Sequence, residues 1–148
     1  MIVKIKSVGG FVPNYETIYS AGMDINAFLD HPIVLKPMER ALVPTGLFIE
    51  LEPGYEAQIR ARSGLAIKHG IGLVNGIGTI DSDYRGEIKI LLINWGDEDF
   101  HINSGDRIAQ IIIAKYERIE WEVTNEINET KRGSGGFGHT GKGGKPCF

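Results

Sequence analysis

The run Gly78-Thr79-Ile80-Asp81-Ser82-Asp83-Tyr84-Arg85-Gly86-Glu87-Ile88-Lys89-Ile90-Leu91-Leu92-Ile93 decides the class of fold. Its second part, Ile88 to Ile93, is apolar and rich in β-branched residues, the composition of a strand buried on both faces. Its first part sets two carboxylates, a phenol and a guanidinium between glycines, the composition of a polar turn. A hairpin at this point would carry Asp81 and Tyr84 on its rim.

The same texture extends in both directions. Ile2-Val3-Lys4-Ile5-Lys6 and Ala57-Gln58-Ile59-Arg60-Ala61-Arg62 alternate with period two, and Ile108 to Ala114 is again mostly apolar. Turn signals separate these runs: Glu52-Pro53-Gly54, Val74-Asn75-Gly76, Trp95-Gly96-Asp97 and Asn103-Ser104-Gly105-Asp106. Short strands with regular turns predict an all-β sandwich or barrel. One short helix is expected, with Ser63 as cap, Gly64 to His69 as body and Gly70 at the C-terminal cap.

A chain of 148 residues is one domain by length, and it can bury roughly 70% of its unfolded surface. The net charge of −3 supplies no basic field, so nucleic acid is not an expected partner. A polyanionic substrate would need local cations or a metal ion. Cys147 is the only cysteine, which excludes an intrachain disulfide. The first ten residues lack a basic segment followed by an apolar run, and no apolar run approaches the ~20 residues of a membrane helix. The expectation is a cytoplasmic protein without a membrane partner. His31, His69, His101 and His139 show no metal-ligand spacing.

After Trp121-Glu122-Val123 the composition changes, which divides the chain into a β core over 1–123 and a linker with an arm over 124–148. Gly133 to Gly144 is more than half glycine. Such a run costs much ordering entropy and has little apolar surface to bury, so a tail disordered in the free state is expected.

Three polar constellations have both a structural and a chemical reading, and a fourth says little alone. Asp81 to Tyr84 is either a turn satisfied by its own side chains or a carboxylate held out to a substrate. Arg62-Ser63-Gly64-Leu65-Ala66 is either a capped helix start or an anion site; the missing Gly-Lys-Ser/Thr ending excludes a P-loop. Arg107-Ile108-Ala109-Gln110 sets polar residues in an otherwise apolar strand, either as two residues on a solvated edge or as candidate chemical groups. Asp24 stands in the extended stretch Ala21 to Ala27.

Taken in order, these segments resemble the five motifs of the trimeric dUTPase family: Ala21 to Ala27, Arg62 to Gly70, Asn75 to Ile88, Gly105 to Gln110, and Arg132-Gly133-Ser134-Gly135-Gly136-Phe137-Gly138-His139-Thr140-Gly141. Ala61, Ile25 and His139 depart from the residues the family commonly has. The resemblance implies a jelly-roll-like β barrel that assembles as a homotrimer, its sites shared between subunits and closed by the arm. It implies Mg²⁺-dependent hydrolysis of dUTP to dUMP and pyrophosphate, which supplies the precursor of dTMP and keeps uracil out of DNA.

In that resemblance Asp81 is the general base that activates the attacking water, and Asp24 holds magnesium-bound water. Arg62, Ser63, Gly64 and Gln110 contact phosphates. Arg132, Ser134 and Thr140 reach the γ-phosphate from the arm. Asn75 and Gly78 belong to the segment that reads uracil, Tyr84 packs under the deoxyribose, and Phe137 stacks on the base. Two other readings stay open: a dCTP deaminase-like enzyme of the same fold, and a regulatory dUTP-binding protein.

Overall fold

The computed structural model describes residues 1–137 and 143. Among them the elements run β1 (Lys4–Ser7), β2 (Met23–Asn26), β3 (Ile33–Leu35), β4 (Arg40–Glu50), β5 (Tyr55–Arg60), α1 (Ser63–His69), β6 (Ile71–Leu73), β7 (Ile77–Ile80), β8 (Ile88–Asn94), β9 (Phe100–Ile102) and β10 (Arg107–Lys115). Two four-stranded antiparallel sheets, ordered β1-β4-β8-β6 and β2-β10-β5-β7, and a β3-β9 pair bury one core. Ile25, Ile59, Ile108 and Ile111 come from one large sheet, Val43, Leu47, Ile90 and Leu92 from the other, and Leu35 and Ile102 from the small pair. The described residues are all-β with one short helix. That helix is too short to cross a membrane, and no other among the described residues is long and apolar enough.

Three expectations change. β8 is buried on one face, not both: Ile88, Ile90, Leu92 and Asn94 point into the core, while Lys89 is exposed and Leu91 and Ile93 are half-buried. Its apolar outer face is left partly open. The Asp81 turn is not a hairpin. β7 pairs with β5 and β8 pairs with β4 and β6, so residues 81–87 cross from one sheet to the other. Ser63 is not the helix cap either. The cap is Arg62, in extended geometry, with no capping side-chain bond, and Ser63 is the first helical residue.

The other end of α1 is as expected. Gly70 adopts φ 68° and its N–H bonds to the carbonyls of Ala66 and Leu65. A Cβ on Gly70 would strike the Gly96 backbone, with Gly96 Cα at 2.7 Å. That backbone is itself held by buried Asn94, whose Nδ2 donates to the carbonyls of Leu35 (2.8 Å) and Glu98 (2.7 Å) and whose Oδ1 accepts Gly96 N–H (2.9 Å). A buried amide with these bonds met costs the core little. At the open edge Lys4 Nζ donates to Glu50 Oε1 (3.0 Å), and this bond first, with the lysine charge, holds the Glu50 carboxyl below its ordinary value. A carboxyl lowered on folding adds stability at neutral pH that is lost as pH falls; this pair is solvent-exposed, so its contribution is small.

The compact unit spans Met1–Arg118, and Ile119–Phe148 forms a second. The division falls five residues before the Val123 boundary read from composition. Ile119, Trp121 and Val123 alternate like a strand but are exposed.

Gly70 and Gly54 separate two sources of backbone constraint. Both have positive φ, but a Cβ on Gly54 meets open space. We expect Gly54→Ala to cost ~1 kcal/mol of strain, and Gly70→Ala at least ~2 kcal/mol, because strain and collision add. Denaturant unfolding of both at one protein concentration checks the order.

Candidate active site

The register of β10 brings distant residues together. Gln110 lies opposite Asp24 of β2 on one side and Arg60 of β5 on the other. Just past Arg60 the chain turns into α1, so Arg62 stands over the same end of the sheet. Arg62 Nε pairs with Asp24 Oδ1 at 3.0 Å, and Arg62 Nη1 donates to the Arg107 carbonyl at 2.8 Å. One guanidinium thus ties β2, β10 and the entry to α1. Gln110 Nε2 donates to the Ala61 carbonyl at 3.0 Å. A Cβ on Gly22 would collide with Gln110 Oε1, so the glycine is what lets the amide side chain lie there.

Arg107 belongs to this cluster although it is three residues from Gln110. Simple alternation would put the two on opposite faces. A bulge between Arg107 and Ala109 changes the phase: Ile108 and Ala109 are both buried, and Arg107 and Gln110 both face out. Arg107 Nη1 lies 3.3 Å from Asp24 Oδ2 and 3.5 Å from Glu16 Oε1. The exposed pair with Glu16 is worth under ~1 kcal/mol. Asp24, whose side chain is 21% exposed, is therefore the anchor of the network. β10 is a central strand of its sheet, so Gln110 and Arg107 do not stand on a sheet edge. Ser63 and Gly64 are exposed in the first turn of α1, where the Arg62 carbonyl accepts the Leu65 and Ala66 amides.

Asp81 and Tyr84 form a second group. Tyr84 N–H closes the turn on the Asp81 carbonyl (3.2 Å), and its hydroxyl donates to the Glu87 carbonyl (3.0 Å). Both residues, with Leu42, Thr79, Ile80, Glu87 and Lys89, line an open cavity of about 270 Å³. Asn75 is exposed in the turn before β7, its Nδ2 close to where a Gly78 Cβ would be (3.4 Å).

The two groups do not meet within one chain. Ile80 sits opposite Ala57, and Gln110 opposite Arg60. Asp81 therefore leaves its strand about four residues along β5 from Gln110, roughly 13 Å at strand spacing. Asp24, Arg62 and Gln110 do not line the Asp81 cavity. No group of three or more His, Cys, Asp or Glu able to hold a metal occurs among the described residues.

The second unit carries Arg132, Ser134 and Phe137. Arg132 Nε donates to the Gly135 carbonyl (2.8 Å) within a turn that Gly133 opens at φ 52°. Ser134 is exposed, and so is the Phe137 ring. Thr140, His139 and Cys147 lie outside the described residues. Gly22 and Arg107 stand in segments the sequence singles out but without a role of their own, and Glu16 is not singled out: a glycine marks no close approach by itself, the bulge hides the phase of Arg107, and Glu16 lies in an irregular segment.

The dUTPase family profile matches residues 10–141. A deoxyuridine 5'-triphosphate nucleotidohydrolase of Rickettsia felis is 59% identical over 140 residues, covering 95% of both chains. One from Finegoldia magna is 57% identical over 130 residues, covering 88% of this chain and 91% of the relative. Among solved structures, the Staphylococcus bacteriophage 80alpha dUTPase with dUPNHPP superposes with a TM-score of 0.87 at 24% identity, covering 95% of this chain and 99% of that one. A mutant dUTPase from phage phi11 of S. aureus, described as coordinating a structural Mg(II) ion, gives 0.77 at 22% identity, covering 85% and 98%. The chain belongs to the dUTPase family.

Proposed function

We propose that this protein hydrolyses dUTP to dUMP and pyrophosphate in sites built from more than one copy of the chain. One observation carries the shared site: the ~13 Å that separates Asp81 from Gln110 along the sheet. In-line attack needs the reacting atoms within ~3.5 Å of each other. A base on the Asp81 turn and phosphate contacts at Arg62 and Gln110 serve one phosphorus when two copies bring unlike ends together.

The surface supports such an assembly. The outer face of the β1-β4-β8-β6 sheet presents exposed Leu42 and Trp95 with half-buried Leu91 and Ile93. An apolar cavity of about 440 Å³ opens among Val3, Ile5, Val12, Met23, Ile111 and Ile113. Faces like these are characteristic of subunit contacts. We assign the assembly as a homotrimer.

In the mechanism Asp81 orients a water and takes its proton as the water attacks the α-phosphorus. Arg62 and Gln110, with the Ser63 and Gly64 end of α1, hold the phosphates. Arg62 does so while still tied to Asp24 and the Arg107 carbonyl, which removes rotamer freedom before substrate arrives. Tyr84 lies under the deoxyribose, and the Asn75–Gly78 segment reads the uracil edge. From the arm, Arg132 and Ser134 reach the γ-phosphate and Phe137 stacks on the base, worth ~1–3 kcal/mol by analogy with other base-stacking sites.

The residues fit a magnesium ion carried by the substrate and not one caged by protein. The described chain offers no cluster of three ligands, yet Asp24 presents a carboxylate whose oxygens have lone pairs left beyond the two guanidiniums. Asp24 would hold water of the ion's shell, and the bound ion supplies neutralisation of phosphate charge.

The direct assay is pyrophosphate release from dUTP beside dCTP, dTTP and UTP, with and without Mg²⁺. Ammonia release from dCTP would point to a deaminase instead, and binding without turnover to a regulatory protein.

Three outcomes are expected. Asp81→Asn keeps substrate binding but loses at least ~10²-fold in kcat, since an amide cannot take the proton; near-normal turnover would remove Asp81 from that role. Sedimentation at micromolar protein gives about three times the 16.3 kDa chain mass; a fully active monomer would overturn the shared site. Deleting residues 132–148 leaves the melting temperature of the trimer nearly unchanged while kcat/KM collapses, with a milder loss in Phe137→Ala. Unchanged kcat/KM on deletion would make the segment a passenger.

A further inference from the structure

Glu87 has no role in the scheme above, yet its side chain is the most engaged carboxylate near Tyr84. It is 23% exposed, and its Oε1 accepts the backbone N–H of Gly46 at 2.9 Å and of Thr45 at 3.2 Å. These two amides belong to a bulge in β4, where the register with β8 slips between Pro44 and Leu47 and Gly46 takes φ 66°. A bulge leaves backbone donors without a ladder partner, and the carboxylate fills that vacancy. The Thr45 hydroxyl adds a bond to the Ile88 carbonyl at 2.5 Å. The far end of the Asp81 turn is thus fastened to the opposite strand at consecutive residues, 87 and 88.

The Glu87 main chain in turn holds Tyr84. Its carbonyl accepts the Tyr84 hydroxyl at 3.0 Å, and the ring folds back over Gly86 so closely that a Cβ there would fall on the phenol. A continuous path leads from the β4 bulge, through the Glu87 carboxylate and main chain, to the height of the Tyr84 ring. The neighbouring Lys89 does not explain the arrangement: its Nζ is 3.5 Å from Oε2 and its side chain is 44% exposed, so this ion pair is weak.

We propose that Glu87 is a positioning residue for sugar selectivity, fixing the Tyr84 ring against the deoxyribose by anchoring the turn to the β4 bulge. This rests on the reading of Tyr84 as the surface beneath the sugar. A ring held at one height can exclude a 2′-hydroxyl; a ring free to drop admits it. What matters is the reach of an acceptor oxygen, not its charge. Gln keeps the reach without the charge; Asp keeps the charge and loses the reach.

The test is steady-state hydrolysis of dUTP and UTP by the full-length protein and by Glu87→Gln, Glu87→Asp and Glu87→Ala, with melting temperatures. We expect Glu87→Gln to keep the dUTP/UTP ratio of kcat/KM within ~3-fold. Asp and Ala should lower that ratio by ~10-fold or more, mainly through a higher KM for dUTP and a gain on UTP, as displacement by about an ångström does elsewhere. A folded Asp or Ala variant with an unchanged ratio overturns the proposal, and so does loss of the ratio in Gln. If both shortened variants fail to fold, Gly86→Ala decides. It drives a methyl into the phenol, leaves the carboxylate and its amides in place, and must lower the ratio likewise; an unchanged ratio there also overturns the proposal. An unsubstituted protein with no activity on dUTP would instead sink the functional reading beneath it.

Discussion

The position of β10 between β2 and β5 is the constraint on which the rest of the site depends. It is an antiparallel register, so a slip of one residue would turn every side chain to the other face. As it stands, Ile111 faces the core and Gln110 faces out beside Asp24, with Arg107 brought to the same side by a bulge. Arg62 then closes the arrangement through Asp24 and the Arg107 carbonyl. The apolar half of β10 holds the strand in place, and the polar half is carried along at fixed spacing. Burial of the isoleucines and placement of the polar cluster are one event.

The same division of labour occurs where the chain crosses from β7 to β8. The Asp81 turn must cross between sheets, and a crossing loop has no ladder of its own. The β4 bulge, the Glu87 carboxylate and the Thr45 hydroxyl supply the missing attachments. The β10 register therefore holds one polar group and the crossing between the sheets holds the other, at separate places of one chain. In the proposed assembly, completion by a second copy would use surface that the isolated chain leaves apolar and open, notably the outer face of β8.

The regular parts were legible in the residues. Ala57 to Arg60 alternates and lies in β5, which ends two residues before the alternating run does; Gly70 ends α1. The irregular parts were not. β4 is the longest strand, but it holds Pro44 and Gly46, which argue against a strand because both disturb a ladder; the bulge accommodates them. The bulge in β10 hides Arg107 for the same reason, since period two fails across it. The Asp81 run reads as a hairpin because hairpins and crossings share turn composition, and only strand pairing distinguishes them. Asp24, Arg62, Gln110, Asp81 and Tyr84 are found through motif order. Composition cannot reveal that they fall into two groups, because that depends on which strand each element joins. Residues 132–137 remain readable only by resemblance, since glycine content describes freedom and not a destination.

Subunit complementation tests the shared site most directly. Asp81→Asn and Arg62→Ala chains, each inactive alone, are coexpressed with different tags and the mixed assemblies purified. If Asp81 and Arg62 reach one phosphorus from different copies, one site in each mixed trimer combines an intact Asp81 with an intact Arg62, and dUTP hydrolysis returns to roughly a third of the unsubstituted level in a symmetric ring of three. Mixed assemblies no more active than either variant alone would show that both residues must come from the same chain, and would contradict the account.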